Sequence, residues 1–236
     1  MTLAELEQAV PALLEYTKYM PADIRSRCTV RIHPAGSMVH QKNMELHSFG
    51  IVAKGDSRVI NEFENGNVYM IESNHAIDFV GEVTILAQMP CTSVTIEAVT
   101  DMLVAYISRK DAERWLAEDR NILTLTARHT AFKLYRSSYT NGAKLFYPPS
   151  FLLLDYLVKY GREAGMEEKD HREQKILINK TRQILQEEIG INVKTLDRTI
   201  RQLKKEAFFD THKGKITFTY EQYAKAVDWL KSSCME

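Results

Sequence analysis

The stretch from Lys180 to Glu206, KTRQILQEEIGINVKTLDRTIRQLKKE, constrains the fold more than any other part of the chain. It predicts two short helices joined by a tight turn, because Thr181 and Asn192 are good N-caps and Gly190 suits the left-handed residue that closes a helix. Apolar residues at helical spacing give each helix one buried face. The outer face of the second helix carries Lys194, Thr195, Asp197, Arg198, Arg201, Lys204 and Lys205. This pattern predicts either a helix-turn-helix that contacts DNA or an ordinary helical hairpin with a solvated charged face.

The segment that follows, Ala207 to Tyr220, favours the first of these alternatives. It predicts two short strands around the basic turn His212-Lys213-Gly214-Lys215, placed as a DNA-contacting wing. Positions 180–215 hold nine Lys and Arg and five Asp and Glu, whereas the whole chain of 236 residues has a formal net charge of +0. Any DNA contact must therefore come from a local basic patch.

Composition narrows the class of protein. Hydrophobic residues make up 44% of the chain, which is enough for a sizeable core. The three cysteines, Cys28, Cys91 and Cys234, are odd in number and form no CxxC pair, so neither a disulfide framework nor a metal or iron–sulfur site is predicted. The chain shows no long apolar run and no signal sequence, so a reduced cytoplasmic protein without cofactor is expected.

The first half of the chain predicts a helix followed by many short strands. Thr2 and Glu5 form a capping-box pattern for a helix reaching Tyr19. From Cys28 to Ser108, β-type runs recur about every ten residues, and Asn65-Gly66 is a strong hairpin signal. Many short strands with turns between them predict a closed barrel or jelly-roll of about eight strands.

A long helix is expected after these strands, beginning at Ser108 with Asp111 as its capping partner. A heptad-like stripe along it, made of Ile122, Leu125, Phe132 and Tyr139 with His129 and Arg136 on the same seam, is typical of a helix that pairs with its own copy. A helix lying on its own barrel would give the same stripe. Asn141-Gly142 and Pro148-Pro149 are expected to break the helix, with a domain boundary between them.

The order of barrel, long helix and winged helix-turn-helix resembles the cyclic-AMP receptor protein/FNR family of bacterial transcription regulators. Phe49 to Gly55 is similar to the family's strand-and-glycine signature. Asp78 to Glu82 is similar to its Gly-Asp-Phe-x-Gly-Glu turn, with Ile77 in place of the first Gly. Thr181-Arg182-Gln183, Gly190, Thr195 and Arg198 match the helix-turn-helix register of the receptor protein without a gap.

The resemblance implies an α+β protein with three parts. These are an effector-sensing β-roll domain (1–117), a dimerisation helix with a hinge (118–145), and a winged helix-turn-helix domain (146–236). It also implies a homodimer on a near-palindromic DNA operator, with RNA polymerase as a further partner and no membrane. Regulation is expected as a change in how the two dimer helices cross, carried through a hinge at residues 141–149.

The effector predicted for the β-roll is not cyclic AMP. In family members that bind it, an Arg about nine residues after the Gly-Glu turn clamps the cyclic phosphate, and here that position is Cys91, followed by Thr92 and Ser93. A desolvated phosphate needs such a cationic donor. The effector-pocket candidates are Gly81, Glu82, Cys91, Thr92, Arg136 and Ser137.

Three alternatives remain for this pocket. It holds another small molecule, with Arg136 supplying positive charge; it is filled by its own side chains, which would make the protein a constitutive DNA binder; or Cys91 is a redox sensor. The last is disfavoured, because a sensor thiol needs a nearby positive charge and the sequence around Cys91 has none.

No enzymatic function is predicted. The histidines among the strands form no His-x-His pair of the cupin type, and the chain contains no nucleophile-elbow, P-loop or zincin motif.

The DNA contacts follow from the helix-turn-helix register. Lys194 and Arg198 lie four residues apart near the start of the second helix and are predicted to contact bases, with Thr195 as a backbone or methyl contact. Where the receptor protein has Arg then Glu, this chain has Val193 then Lys194, so a different half-site is expected. The phosphate-contact candidates are Thr181, Arg182, Gln183, Asn192, Arg201 and Lys213.

Overall fold

The computed structural model describes residues 1–64, 66, 68–167 and 175–233, and leaves the side chains of 139–145 undescribed. The chain divides into two compact units, Met1–Ser138 and Tyr139–Glu236. Among the described residues, no helix is long and apolar enough to cross a membrane.

The first unit begins with short helices rather than the single helix expected. The predicted capping box is present, since the Glu5 amide donates to the Thr2 hydroxyl and the Thr2 amide donates to the Glu5 carboxylate. The helix nevertheless ends at Ala9, because Pro11 lacks the amide that would continue it. A 3₁₀ turn, Pro11–Leu13, connects it to the next. The helices of this segment are α1 (Leu3–Ala9), α2 (Leu14–Thr17) and α3 (Ala22–Arg27).

Eight strands follow, and they form two four-stranded antiparallel sheets, with orders β1-β8-β3-β6 and β2-β7-β4-β5. The strands are β1 (Thr29–His33), β2 (Met38–His40), β3 (Ser48–Lys54), β4 (Asp56–Glu62), β5 (Val68–His75), β6 (Asp78–Val80), β7 (Thr95–Ala98) and β8 (Met102–Ser108). The predicted jelly-roll is confirmed. β6 was not expected as a strand, because three residues give no readable alternation.

The predicted hairpin joins β4 to β5, with Glu62 opposite Val68. Of its turn signal, Asn65 lies outside the described residues. A single helical turn, α4 (Glu82–Leu86), separates β6 from β7. The core between the two sheets contains Val52, Val59, Ile96 and Val104, which belong to different strands and alternate inward as the pleat requires.

Two helices, not one, follow β8. Ser108 caps α5 (Arg109–Glu118) through the Asp111 amide, as predicted. Asp119 then ends α5 in an extended conformation and accepts a hydrogen bond from the Asn121 amide, which begins the long helix α6 (Arg120–Phe146). The expected break at Asn141-Gly142 was wrong, because α6 continues through both residues.

The second unit is a small α+β structure. Its helices and strands are α7 (Pro149–Glu163), β9 (Lys175–Ile178), α8 (Arg182–Ile189), α9 (Val193–Lys205), β10 (Asp210–His212), β11 (Lys215–Thr219) and α10 (Tyr220–Ser233). The strands form a three-stranded antiparallel sheet of order β10-β11-β9. Pro149 is the first residue of α7, so the Pro148-Pro149 boundary between helices is confirmed.

Helix α7 is the buried helix of this unit and is longer than expected. A surface loop was predicted from Gly161, but Gly161 lies inside the helix and is buried. The ring of Tyr223 packs so closely against it that a Cβ there would lie 2.7 Å from Cδ2 of Tyr223. Residues 168–174 of that predicted loop, and Cys234, lie outside the described residues. The last helix packs Tyr223 and Ala226 into the core of the unit, as predicted.

Candidate functional site

A cavity of about 340 Å³ lies inside the first unit, between strands of the β2-β7-β4-β5 sheet, α4 and one face of α6. Most of its lining is apolar, and the hydroxyl groups of Ser and Thr provide much of the rest. The residues that line it are His40, Val59, Ile71, Glu72, Gly81, Glu82, Val83, Thr84, Ser93, Val94, Ile96, Thr130, Lys133, Leu134 and Ser137. Its volume falls within the range of small-molecule sites.

Lys133 is the central charged group of this cavity. Its Nζ lies 2.8 Å from Oε1 of Glu82 and 2.9 Å from Oδ2 of Asp78. The side chains of Lys133, Glu82 and Asp78 are 13%, 4% and 8% exposed, respectively, so the cluster is almost dry. His129, one turn earlier on α6, places Nδ1 3.5 Å from the second oxygen of Asp78. The ammonium group is thereby neutralised by two carboxylates of its own chain.

The pKa values of this cluster reflect burial and pairing. Burial raises the pKa of Glu82, and the positive charge of Lys133 offsets only part of that shift. Burial alone would also raise the pKa of Asp78, but His129 and Lys133 lower it overall. For Lys133, burial acts to lower the pKa, but the charges of Glu82 and Asp78 outweigh it and raise the pKa. At neutral pH Lys133 is therefore cationic and paired.

Arg136 continues the same row of contacts one turn further along α6. Its guanidinium donates to Glu72 Oε2 and to Asn74 Oδ1, both at 2.8 Å, and to the carbonyl of Ser73 at 3.2 Å. Glu72 lines the cavity, while Arg136 is not among the lining residues. Lys133 and Arg136 are thus both paired with carboxylates from the strands or from α4.

His40 is the one imidazole among the described lining residues. Both of its ring nitrogens are buried, and neither makes a hydrogen bond of normal geometry to a described residue. Burial lowers the pKa of His40 to about 4, and the nearby backbone of Val94 offsets only part of that shift, so the ring is neutral at physiological pH. A neutral imidazole has one N–H donor and one nitrogen acceptor; here the donor faces the Val94 backbone outside normal hydrogen-bond geometry, and the acceptor has no partner among the described residues.

The structure brings together half of the predicted pocket candidates. Gly81, Glu82 and Ser137 line the cavity, whereas Cys91, Thr92 and Arg136 do not. Cys91 is exposed and pairs through its backbone with Glu45. Thr92 is buried, but its hydroxyl donates to the carbonyl of Gln41 at 2.6 Å, which holds a loop in place.

Lys133 and His40 were not among the pocket residues predicted from the sequence. Lys133 falls between His129 and Arg136, at i+4 from the first and i−3 from the second, so the predicted seam already contained its position. His40 gave a weaker signal, since a single histidine in a three-residue strand is most often a surface residue.

Most side chains of the predicted dimer seam contact other residues of the same chain. Ile122 is fully buried, and the His129 ring lies edge-on to Phe79, with centroids 5.2 Å apart. Other positions of α6 are exposed. The large apolar side chains among them are Leu123, Phe132, Leu134 and Tyr135, of which Leu134 and Tyr135 are 67% and 77% exposed. Phe132 is thus the one member of the predicted stripe among them, and the side chain of Tyr139 is not described.

The helix-turn-helix prediction is confirmed as local structure in the second unit. The Thr181 hydroxyl caps α8 through the Ile184 amide, and Gly190 ends it in the left-handed conformation with φ 81°. Asn192 caps α9 by accepting a hydrogen bond of 2.9 Å from the Thr195 amide. The inner faces of the two helices bury residues that include Leu185, Ile189, Leu196, Ile200 and Leu203.

The basic hairpin also forms where it was predicted. His212 pairs with Lys215, and the two residues between them, Lys213 and Gly214, have φ values of 46° and 76°. Positive φ at both central residues is the signature of a two-residue type I′ turn. Both residues are exposed at the tip of the hairpin.

Seven of the nine predicted DNA-contact residues are exposed, and Arg182 and Thr195 are partly buried. Arg182 pairs its Nε with Asp197 Oδ1 at 3.2 Å and so connects α8 to α9. Gln183 donates to Glu187, and Arg201 Nε donates to the Asp197 carbonyl. The exposed residues of the set are Thr181, Gln183, Asn192, Lys194, Arg198, Arg201 and Lys213.

Several lysines of the helix-turn-helix and hairpin make contacts within the second unit. Lys180 pairs with Glu188 at 2.7 Å, Lys204 donates to the Thr211 hydroxyl, and Lys215 donates to the Lys180 carbonyl. Lys194 and Arg198 are both exposed on one face of α9, four residues apart. The outward basic surface is therefore narrower than the count of cations in the sequence implies.

Comparison with known proteins agrees with this architecture. Residues 30–119 match the family model of the cyclic nucleotide-binding domain. No curated protein matches the chain in sequence. Solved structures of the same fold nevertheless cover most of its length.

Three of these structures illustrate the likeness. A putative transcriptional regulator of the CRP/FNR family from Eubacterium rectale is 15% identical, with a TM-score of 0.70 over 86% of this chain and 91% of that chain. CLP, the c-di-GMP-responsive global regulator of Xanthomonas campestris, is 14% identical, with a TM-score of 0.69 over 82% and 95%. A CRP/FNR-family transcriptional regulator of Thermus thermophilus is 16% identical, with a TM-score of 0.62 over 85% and 98%.

At these identities the likeness to the solved structures is one of fold. The three solved proteins are described as regulators of transcription. Residues 30–119 therefore match the cyclic nucleotide-binding domain, and the chain shares its fold with solved CRP/FNR-family transcription regulators, as its motifs predicted.

Proposed function

We propose that the chain is a sequence-specific DNA-binding transcription regulator that acts as a homodimer and responds to a small-molecule effector other than cyclic AMP. The observation that carries the proposal is helix α9, capped by Asn192 and presenting Lys194 and Arg198 outward at its N-terminal half. In helix-turn-helix proteins this half of the second helix contacts base edges in the major groove. Arg and Lys favour guanine O6 and N7 there.

The homodimer is supported by the exposed face of α6. Leu123, Ala127, Ala131 and Leu134 are exposed at spacings of four, four and three residues, a continuous stripe along one side of the helix. A second copy of α6 would bury it. Such a two-fold dimer would present two α9 helices to half-sites one DNA turn, about 34 Å, apart.

Response to an effector is supported by the cavity. A volume of about 340 Å³ remains after its own side chains are placed, which favours a ligand over the alternative of a filled, degenerate sensor domain. Cyclic AMP fits poorly, because Lys133 is the one Lys or Arg among the described lining residues and two carboxylates already hold it. The bidentate cationic donor that a buried phosphate requires is missing at Cys91 as well.

The test of DNA binding is selection of a site from random DNA, followed by substitution in α9. Arg198→Ala is expected to cost about 1–3 kcal/mol on the selected site and little on random DNA. Lys205→Ala, at the far end of the same helix, is the matched control and should weaken both kinds of DNA about equally if it contacts phosphate. Equal losses on both DNAs for Arg198→Ala would reduce Arg198 to a phosphate contact.

The domain division and hinge expected from the sequence are part of the proposal. If the dimer helices transmit effector binding, the selected site must be bound with different affinity in the presence of ligand. Sedimentation of the purified chain tests the dimer directly. A monomer at micromolar concentration, or a failure to select any near-palindrome, would refute the proposed function.

A further inference from the structure

The cavity of the first unit also indicates which chemical class of effector it takes, an inference that rests on the proposed function. Lys133 and Arg136 supply two positive charges around it, and Glu72, Asp78 and Glu82 supply three negative ones. These five groups have a net charge of −1. Protonation of Glu82 would make their net charge zero and would still leave no excess positive charge. Since Lys133 is within 3 Å of both of its carboxylates, its charge is compensated before any ligand enters.

An anion would therefore enter a site where no described residue offers a free positive charge to receive it. Charges interact strongly in a buried site because water does not screen them. An incoming carboxylate or phosphate would have to share Lys133 with Asp78 and Glu82, and displacing Glu82, which is 3% exposed, would leave a buried unpaired carboxylate. Both effects oppose anionic ligands.

The walls of the cavity favour apolar ligands of limited size. Val59, Ile71, Val83, Val94 and Ile96 line it from the strands, α4 and the segment before β7, together with Leu134 from α6. Cavities of about 150 Å³ lined by apolar side chains bind benzene, so about 340 Å³ suits a molecule of two rings.

His40 is the polar group of the cavity whose hydrogen bonding is incomplete. Both ring nitrogens are buried; one faces the Val94 backbone outside normal hydrogen-bond geometry, and the other has no partner among the described residues, which is costly in an apolar surrounding. A hydroxyl group on a ligand is both donor and acceptor and can satisfy either nitrogen. Thr84, Ser93, Thr130 and Ser137 add hydroxyl groups to the same lining.

We propose that this cavity binds an uncharged, mainly apolar molecule of about two rings that carries one hydroxyl or carbonyl group, and that it discriminates against organic anions. The buried Lys133 cluster sets the charge preference, and His40 is the polar anchor.

The test uses a matched pair of probes, 2-naphthol and 2-naphthoate, which share a ring system and differ in charge at neutral pH. Titration calorimetry of the full chain should show 2-naphthol binding at least about tenfold more tightly than 2-naphthoate. Cyclic AMP should behave as the anionic probe does. Equal or tighter binding of 2-naphthoate, or no binding of 2-naphthol at millimolar concentration, overturns the proposal.

Three variants and one control variant locate the binding and its charge preference. Val94→Trp fills the cavity and should abolish 2-naphthol binding, whereas Ile32→Trp, at a strand position that is 66% exposed, should leave it unchanged. Glu82→Gln removes one carboxylate partner of Lys133 and should narrow the preference for 2-naphthol over 2-naphthoate. His40→Leu should weaken 2-naphthol binding by roughly 2- to 10-fold. Retained binding in a folded Val94→Trp variant overturns the assignment to this cavity.

DNA binding, measured on the same samples, separates this inference from the function it rests on. If the chain binds its selected operator but not 2-naphthol, the proposed ligand class is wrong and the proposed function stands. If the chain binds 2-naphthol but selects no DNA site, the proposed function is wrong and the ligand class stands.

Discussion

Replacing Lys133 with Met should destabilise the first unit strongly, although the two side chains have similar shapes. The Met side chain can fill the space of the lysine stem, so the loss is mainly electrostatic. Asp78 and Glu82, which are 8% and 4% exposed at the side chain, would keep their positions without the ammonium group 2.8–2.9 Å away. Removing one partner from a buried ion pair costs about 3–5 kcal/mol, because the other partner is left uncompensated.

The pH dependence of the loss provides an internal check. Without Lys133, the pKa of Glu82 in the folded state, already raised by burial, would rise further, and the lowered pKa of Asp78 would rise too. A carboxyl group with a raised pKa stabilises the folded state at low pH, and this contribution is lost as the pH rises through the folded pKa. The difference in unfolding free energy between Lys133→Met and the native chain should therefore narrow from pH 7 to pH 5.

Urea unfolding followed by tryptophan fluorescence measures this effect. The chain has two tryptophans, and a Trp229→Phe background leaves Trp115, which is fully buried in the first unit, as the only reporter. Lys110→Met, at an exposed lysine of α5, is the matched control and should change stability by less than about 0.5 kcal/mol. Adding Asp78→Asn and Glu82→Gln to Lys133→Met should restore much of the loss. A loss no larger than that of Lys110→Met would refute the view that Lys133 is a buried, paired cation.

Two further predictions concern stability. Burial lowers the pKa of His40 to about 4, so its contribution to the unfolding free energy is complete above about pH 6.5 and is lost as the pH falls toward 4. Between pH 7 and pH 4 the unfolding free energy of the native chain should therefore fall by about 3 kcal/mol more than that of His40→Leu. Urea unfolding at each pH measures this difference, and parallel curves for the two proteins would contradict it. Gly161→Ala should destabilise the second unit by about 1–3 kcal/mol despite the better helix propensity of alanine, since the new Cβ would meet Tyr223 at 2.7 Å. Fluorescence of Trp229 in a Trp115→Phe background measures the second effect, and a stabilised variant would disprove the close packing.

Local signals in the sequence were sufficient for most of the fold. The caps at Thr2, Ser108, Thr181 and Asn192 were predicted correctly, because a capping side chain binds an amide within three residues of itself. The strands were predicted by their alternation and by the turn residues between them. The errors in the helices were also local, since Pro11 and Asp119 each end a helix that the apolar pattern alone would continue.

The site could not be predicted to the same degree. Lys133 and Glu82 are 51 residues apart in sequence, and no local pattern indicates that they meet. The same holds for Arg136 and Glu72, 64 residues apart, whose pairing removes Arg136 from its predicted role as the cation of the pocket. The position of Cys91 was inferred by counting residues along a loop. The loop turns Cys91 to the surface, whereas Ser93 and Val94 further along it line the cavity.

Leu134 belongs both to the proposed effector cavity and to the proposed dimer surface. It lines the cavity, and it is also 67% exposed on the face of α6 that a second copy would cover. Under the proposed function, a second copy would cover this side chain and close that side of the cavity. Ligand binding in the cavity and pairing of the chains would then share this side chain, and by linkage any effect of one on the other is returned by the same factor. Dilution of the protein would then alter its apparent affinity for an effector, even with every residue unchanged.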